Sequence, residues 1–181
     1  MSLLVLRDPR VLVCGSRSWR WPGTVTAVLD RLAARHGDRL VVIEGAATGA
    51  DSAAHRWCEA HALSTRQHRC YPVDWVAMRH SRPDDWRLAG PERNTLMLID
   101  ERPRLIVAFQ DRFDPAAGGT FDMCLRGLLA GVPVWLVTAA NPQVGRWLSQ
   151  DEFPSNRTNR IRRELRLEPP TPPGLFDLPP A

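Results

Sequence analysis

Three glycine-bearing turns hold the residues whose types and spacing suit anion capture. Gly15-Ser16-Arg17 and Gly45-Ala46-Ala47-Thr48-Gly49-Ala50-Asp51 each follow an apolar run, and Gly118-Gly119-Thr120 opens a helical pattern. Side chains this small do not obstruct a ligand approaching the backbone. Where a strand stops at such a turn and feeds a helix, the first helical N–H groups lack intrahelical acceptors. The positive end of the helix dipole lies behind them, and phosphate or another anion fits there. Arg17, beside the first turn, suits bidentate binding of phosphate. Arg93-Asn94 stand just inside a predicted helix, where a cation opposes the dipole. An anionic ligand, or a buried carboxylate such as Asp122, would offset that local cost. Asp51 either caps its helix or meets a ribose hydroxyl, and Ser16 and Thr120 either cap or donate to phosphate.

The elements that position these residues alternate along the chain. Residues 10–15, 41–43, 66–71, 105–109 and 134–137 read as strands, mostly continuous apolar runs. Residues 24–36, 51–62, 90–100 and 118–130 read as helices, with Pro91 at the first helical position of the third. Continuous apolar strands belong to a parallel sheet covered on both faces. Right-handed crossovers then give an α/β fold: a Rossmann-like, doubly wound, mainly parallel five-stranded sheet with helices on both faces. Ligands of such sheets lie beyond the carboxyl ends of the strands, so the three turns are expected to converge on one rim. Residues 72–89 read as a loop in which Trp75 and Trp86 are candidates to stack a base, while Trp57 reads as core.

Residues 1–140 are expected to form this domain and residues 141–181 an extension. In the extension, 141–156 reads as irregular and 157–167 as a basic helix with Arg160, Arg162, Arg163 and Arg166. Residues 168–181 form a Pro-rich tail, read as extended or disordered. Its Gly174-Leu-Phe-Asp-Leu178 island reads as a docking peptide or as a segment folded back on the domain.

Composition closes off several classes. Every basic residue other than histidine is arginine, which excludes a Schiff-base lysine and a phosphate-loop lysine. None of the glycine turns has the Gly-x-Gly-x-x-Gly or Walker spacing of ordinary dinucleotide and ATPase sites. A net charge of +4 does not by itself argue for nucleic acid. No apolar run approaches the roughly 20 residues that span a bilayer, and no secretion signal is evident, so no membrane association and a cytoplasmic site are expected. The dispersed Cys14, Cys58, Cys70 and Cys124 read as reduced thiols. His55, Cys58 and His61 share one helical arc but lack a signposted fourth ligand, so no metal and no cofactor are expected.

Cys14-Gly-Ser-Arg17, Glu44-Gly-x-x-x-Gly-Ala-Asp51, Gly90-Pro-x-Arg-Asn94, Ala108-Phe109 and Gly118-Gly-Thr-x-Asp-Met123 occur in this order along the chain. In these motifs, with Trp57 and Tyr71-Pro-Val-Asp-Trp75, the stretch from about residue 11 to 137 resembles the YspA-type branch of the SLOG superfamily. That superfamily also holds the DprA proteins that process DNA and the LOG phosphoribohydrolases. The resemblance implies a nucleotide or nucleotide-derived, ADP-ribose-like ligand, with the protein as its sensor or processor. Gly15, Ser16, Arg17, Gly45, Ala46, Gly49, Ala50, Asp51, Asn94, Gly118, Gly119 and Thr120 are then the binding residues.

One alternative is a LOG-like nucleoside 5'-monophosphate phosphoribohydrolase with Arg93 and Asp122 as catalytic residues. Arg93 stands where the arginine of those enzymes falls, but Met123 occupies the position of their glutamate, with Asp122 one residue before it. A second alternative is DprA-like binding of single-stranded DNA through the arginine helix. The resemblance also implies a homodimer.

Overall fold

The computed structural model describes residues 9–116 and 118–166. Strand β1 (Arg10–Gly15) sits mid-sheet, between parallel neighbours β2 (Val41–Glu44) and β4 (Leu105–Phe109). Outside β2 lies parallel β3 (His68–Cys70), and outside β4 lies parallel β5 (Val134–Val137). A sixth strand, β6 (Gly145–Trp147), completes the order β3-β2-β1-β4-β5-β6 and runs antiparallel to β5. Strand order reverses between β1 and β4, which is where an open sheet leaves a crevice.

The period-two alternation of side chains divides the core into two layers. Val11, Val13, Val42, Val107 and Phe109 face α1 (Pro22–His36) and α2 (Ala50–Ala60). Leu12, Cys14, Ile43, Ile106 and Leu136 face α4 (Ala89–Glu101) and α5 (Gly119–Leu129). Ile161 of α6 (Ser155–Glu164) is fully buried in the second layer. Arg126, buried in α5, ties these helices together. Its Nε donates to Asp122 Oδ2 at 2.8 Å, its Nη1 to Thr95 Oγ1 at 3.0 Å, and its Nη2 to Glu164 of α6. No helix among the described residues is long and apolar enough to cross a membrane.

The structure departs from the sequence reading in four places. The sheet has six strands rather than five, because part of the stretch read as irregular pairs with β5. Gly145 makes that approach feasible, since a Cβ there would lie 2.5 Å from the Leu136 carbonyl oxygen. Trp147 then packs edge-on to Trp135, with ring centroids 5.0 Å apart. Residues 72–89 contain helix α3 (Trp75–Ser81), whose first N–H groups are capped by Asp74, and a 3₁₀ turn, Trp86–Leu88. That turn runs directly into α4, which therefore starts before Gly90-Pro91. Arg93 is the fifth residue of α4, beyond the first turn, and the dipole penalty expected for it does not apply. Helix α6 begins at Ser155, earlier than expected. The Pro-rich tail and its Gly174–Leu178 island lie outside the described residues.

Candidate functional site

At the reversal point the first two turns interlock. Ser16 N–H donates to the Phe109 carbonyl at 2.8 Å, and Ala50 N–H to the Ser16 carbonyl at 3.3 Å. Gly15 lies so close to its neighbours that a Cβ would fall 2.4 Å from Phe109 O and 2.7 Å from Ala50 Cβ. Gly49 has φ +78°, and a Cβ there would stand 2.1 Å from Ser16 O. Only glycine permits this conformation and this approach together. The third turn joins from the far side. Gly118, at φ +93°, precedes α5, and the Thr120 hydroxyl donates to Gln110 Oε1 beyond β4 at 3.1 Å.

These contacts enclose a cleft of about 280 Å3. Gly15, Ser16, Arg17, Asp51, Arg93, Asn94, Gly118, Gly119 and Thr120 all line it. Gly45, Ala46, Gly49 and Ala50 do not reach its wall; they form the scaffold behind it. Ala50 is buried beneath Gly15, Ala46 is exposed outside, and Gly45 offers its carbonyl to Arg93. Gln110 and Arg112 line the cleft without having been singled out in the sequence. Both follow β4 at the switch point, so strand-end position was the signal that pointed to them.

Arg93 reaches across from α4. Its Nη1 donates to the carbonyls of Gly45 and, at 3.3 Å, Tyr71. Its Nε is buried with no partner among the described residues. Burial pulls the Arg93 pKa below the usual arginine value, with Asp51 and Cys14 opposing. Asp51 is itself 4% exposed, and its Oδ2 accepts the Gly45 N–H at 3.0 Å. Of the two roles open to it, the visible one is to clasp its own loop. Burial pushes the Asp51 carboxyl up to about 6; Arg93 opposes that, Glu44 adds to it, and the Gly45 and Ala47 N–H groups oppose it.

The expected meeting of Arg93 with Asp122 does not occur. Asp122 Oδ2 accepts from Asn94 Nδ2 at 2.8 Å and from Arg126 Nε at 2.8 Å. Asp122 instead lines an adjoining depression of about 360 Å3, together with Arg17, Trp75, Arg87, Arg157 and Arg160. Arg17, Arg93, Asn94, Gly118 and Gly119 border both spaces. The Arg17 guanidinium stands 5.8 Å from the Trp75 ring centroid. Trp86 has Arg79 and Arg87 over its ring, each 4.5 Å from the centroid, and lies outside the depression. Trp19 and Trp57 are core residues.

His55, Cys58 and His61 also point apart. Cys58 is in the core, His61 stacks on Trp57 with centroids 4.0 Å apart, and His55 turns toward Glu44.

Three guanidinium groups (Arg17, Arg93 and Arg112) and the first turn of α5 thus face two carboxylates, Asp51 and Asp114, around one cleft. The excess of cationic groups and unpaired helix N–H groups favours a ligand carrying more than one negative charge. Residues 9–77 match the family described as YspA, cpYpsA-related SLOG family. No curated protein and no solved structure matches the chain. The matched stretch contains the first two turns; Arg93 and the third turn follow it.

Proposed function

We propose that this chain, whose residues 9–77 match the YspA-type SLOG family, binds a phosphate-bearing nucleotide or ADP-ribose-like molecule at the switch-point cleft. SLOG membership goes with a nucleotide-related binding or processing role. The observation that carries the finer reading is the convergence of three glycine turns with Arg17, Arg93 and Arg112 on one space. A phosphate there meets the α5 N-terminus, while the rest of the ligand extends past Arg17 toward Trp75, Arg157 and Arg160. A two-part ligand uses both spaces; inorganic phosphate uses one. Asp122, held by Asn94 and Arg126, orients Asn94 at the boundary between them.

Calorimetric titration with AMP, ADP and ADP-ribose, alongside chromatography of the same mixtures, tests the reading. Saturable binding with intact ligand supports it. Release of free base that disappears in Asp122→Asn would replace it with phosphoribohydrolase activity. Tighter binding of a single-stranded oligonucleotide than of any mononucleotide would replace it with DNA binding. Sedimentation of the same sample reads the dimer that the resemblance implies.

A further inference from the structure

Among the described residues, one group of metal-ligating side chains gathers outside the cleft, on the α2 side of the sheet. Glu44 ends β2 with its carboxylate fully buried. His68 and Cys70, two residues apart on the edge strand β3, share a face, and Cys70 is the register partner of Glu44. His55, midway along α2, comes down onto them. One donor atom from each of the four side chains lies within 4.8 Å of all the others. His55 Nδ1 and His68 Nε2 both stand on Glu44 Oε1, at 2.9 and 3.0 Å. The two imidazole rings meet edge to face, 4.8 Å between centroids.

We propose that Glu44, His55, His68 and Cys70 form a tetrahedral site for a zinc-class divalent ion. Bond lengths of about 2.0–2.3 Å set donor-to-donor separations of about 3.3–3.8 Å in such a site. The cluster therefore opens by a few tenths of an ångström around Glu44 and closes by about 1 Å at its widest pair. Two imidazoles, a thiolate and a carboxylate suit zinc; calcium and magnesium take shells of oxygen. Binding requires Cys70 to coordinate as its thiolate, so metal uptake releases the thiol proton. The outer nitrogen of His55, Nε2, faces Glu59 Oε1 at 3.6 Å, a carboxylate placed behind the imidazole to fix its orientation.

Four protein donors make a closed, structural type of site, with no position reserved for substrate. Its effect is on the neighbouring loop. Glu44 Oε2 accepts the Ala46 N–H, and the next carbonyl along, Gly45, receives Arg93. An ion at Oε1 braces the turn that supports the cleft. The site does not depend on what the cleft binds. It was invisible in the sequence because its donors come from β2, α2 and β3, with no short spacing among them apart from His68 and Cys70.

The test is titration of the chelator-stripped full chain with Co2+. The expected result is one Co2+ per chain, with the visible bands of a tetrahedral ion and a thiolate-to-cobalt charge-transfer band, reversed by zinc. Cys70→Ser should abolish the charge-transfer band, and His68→Ala should weaken binding by about tenfold or more. Glu59→Gln should weaken it by a smaller factor, and His61→Ala should leave it unchanged. Circular dichroism checks that each variant is folded; both Cys70 and His68 lie on the short edge strand. Absence of tetrahedral bands in the wild type, or bands that survive undiminished in Cys70→Ser and His68→Ala, would overturn the proposal. The four side chains would then be a hydrogen-bonded cluster satisfying a buried carboxylate.

Discussion

Asp51 serves its loop at a cost that depends on pH. Its folded pKa of about 6 lies above the ordinary aspartate value of about 3.9, so the folded state holds the proton more tightly. Its contribution to stability is then fully present below about pH 4, declines as pH rises, and is lost above about pH 6. The total is on the order of 2–3 kcal/mol. Asp51→Asn keeps an acceptor for the Gly45 N–H and removes the buried charge. Urea unfolding should find the variant equal to wild type near pH 4 and more stable than it at pH 8. Parallel pH profiles for the two proteins would sink this account of Asp51.

Arg126 makes the opposite case, a buried charge whose partners depend on it. Arg126→Ala leaves the Asp122 carboxylate buried without its cation, and the expected loss is about 3–5 kcal/mol by chemical denaturation. A loss below about 1 kcal/mol would mean the cluster is not a unit. The small residues of the cleft were legible in the sequence because glycine turns and strand ends announce themselves locally. Arg126 was not, since its role comes from three helices meeting. Its local trace is an acid four residues earlier, Asp122, which the sequence offers equally as a partner for Arg93 or as a catalytic carboxylate. Of the two grounds for Arg93, the helix-dipole argument fails, since that residue sits beyond the first turn of α4; the resemblance to the LOG arginine is a separate ground, and the structure adds its reach to Gly45.

Among elements, the turns are held to different tolerances. Gly49 and Gly118 both have positive φ, but only Gly49 is pressed against backbone; a Cβ at Gly118 meets nothing within 4 Å. Gly49→Ala should therefore be less stable than Gly118→Ala by at least about 2 kcal/mol, since it adds a steric clash to the same kind of backbone strain. Equal losses in thermal melts would mean that the first two turns do not interlock.

Helix α6 is tested by Ile161→Ala, which should cost about 2–4 kcal/mol if its burial against α5 contributes to the core. Four of the five parallel strands could be read from their apolar runs; β3, His-Arg-Cys, is polar and rests on its place in the alternation of strand and helix. Strand β6 could not: Gly-Arg-Trp has no apolar alternation and becomes a strand only because β5 presents an open edge. Helix α3 was readable in principle from Asp74 as its cap, but Pro72, Pro83 and the acidic pair at 84–85 outweighed that signal.

On the scale of the whole molecule, one edge of the sheet gathers arginines from the β1 and β4 turns, α4, α6 and the 3₁₀ turn before α4, around two joined spaces. A phosphate-bearing ligand bound there should weaken as ionic strength rises, with the exposed Arg17 and Arg112 screened before the half-buried Arg93. The most direct test of the cleft as an anion site is Gly119→Asp. A Cβ at Gly119 would meet no atom within 4 Å, and an acid in the first turn of α5 suits the helix dipole. The fold should therefore keep its melting temperature while a carboxylate enters the place proposed for phosphate. Titration with whichever of AMP, ADP or ADP-ribose binds wild type most tightly should show affinity falling by about a hundredfold, near 3 kcal/mol. Undiminished affinity in a variant that melts like wild type would contradict the site.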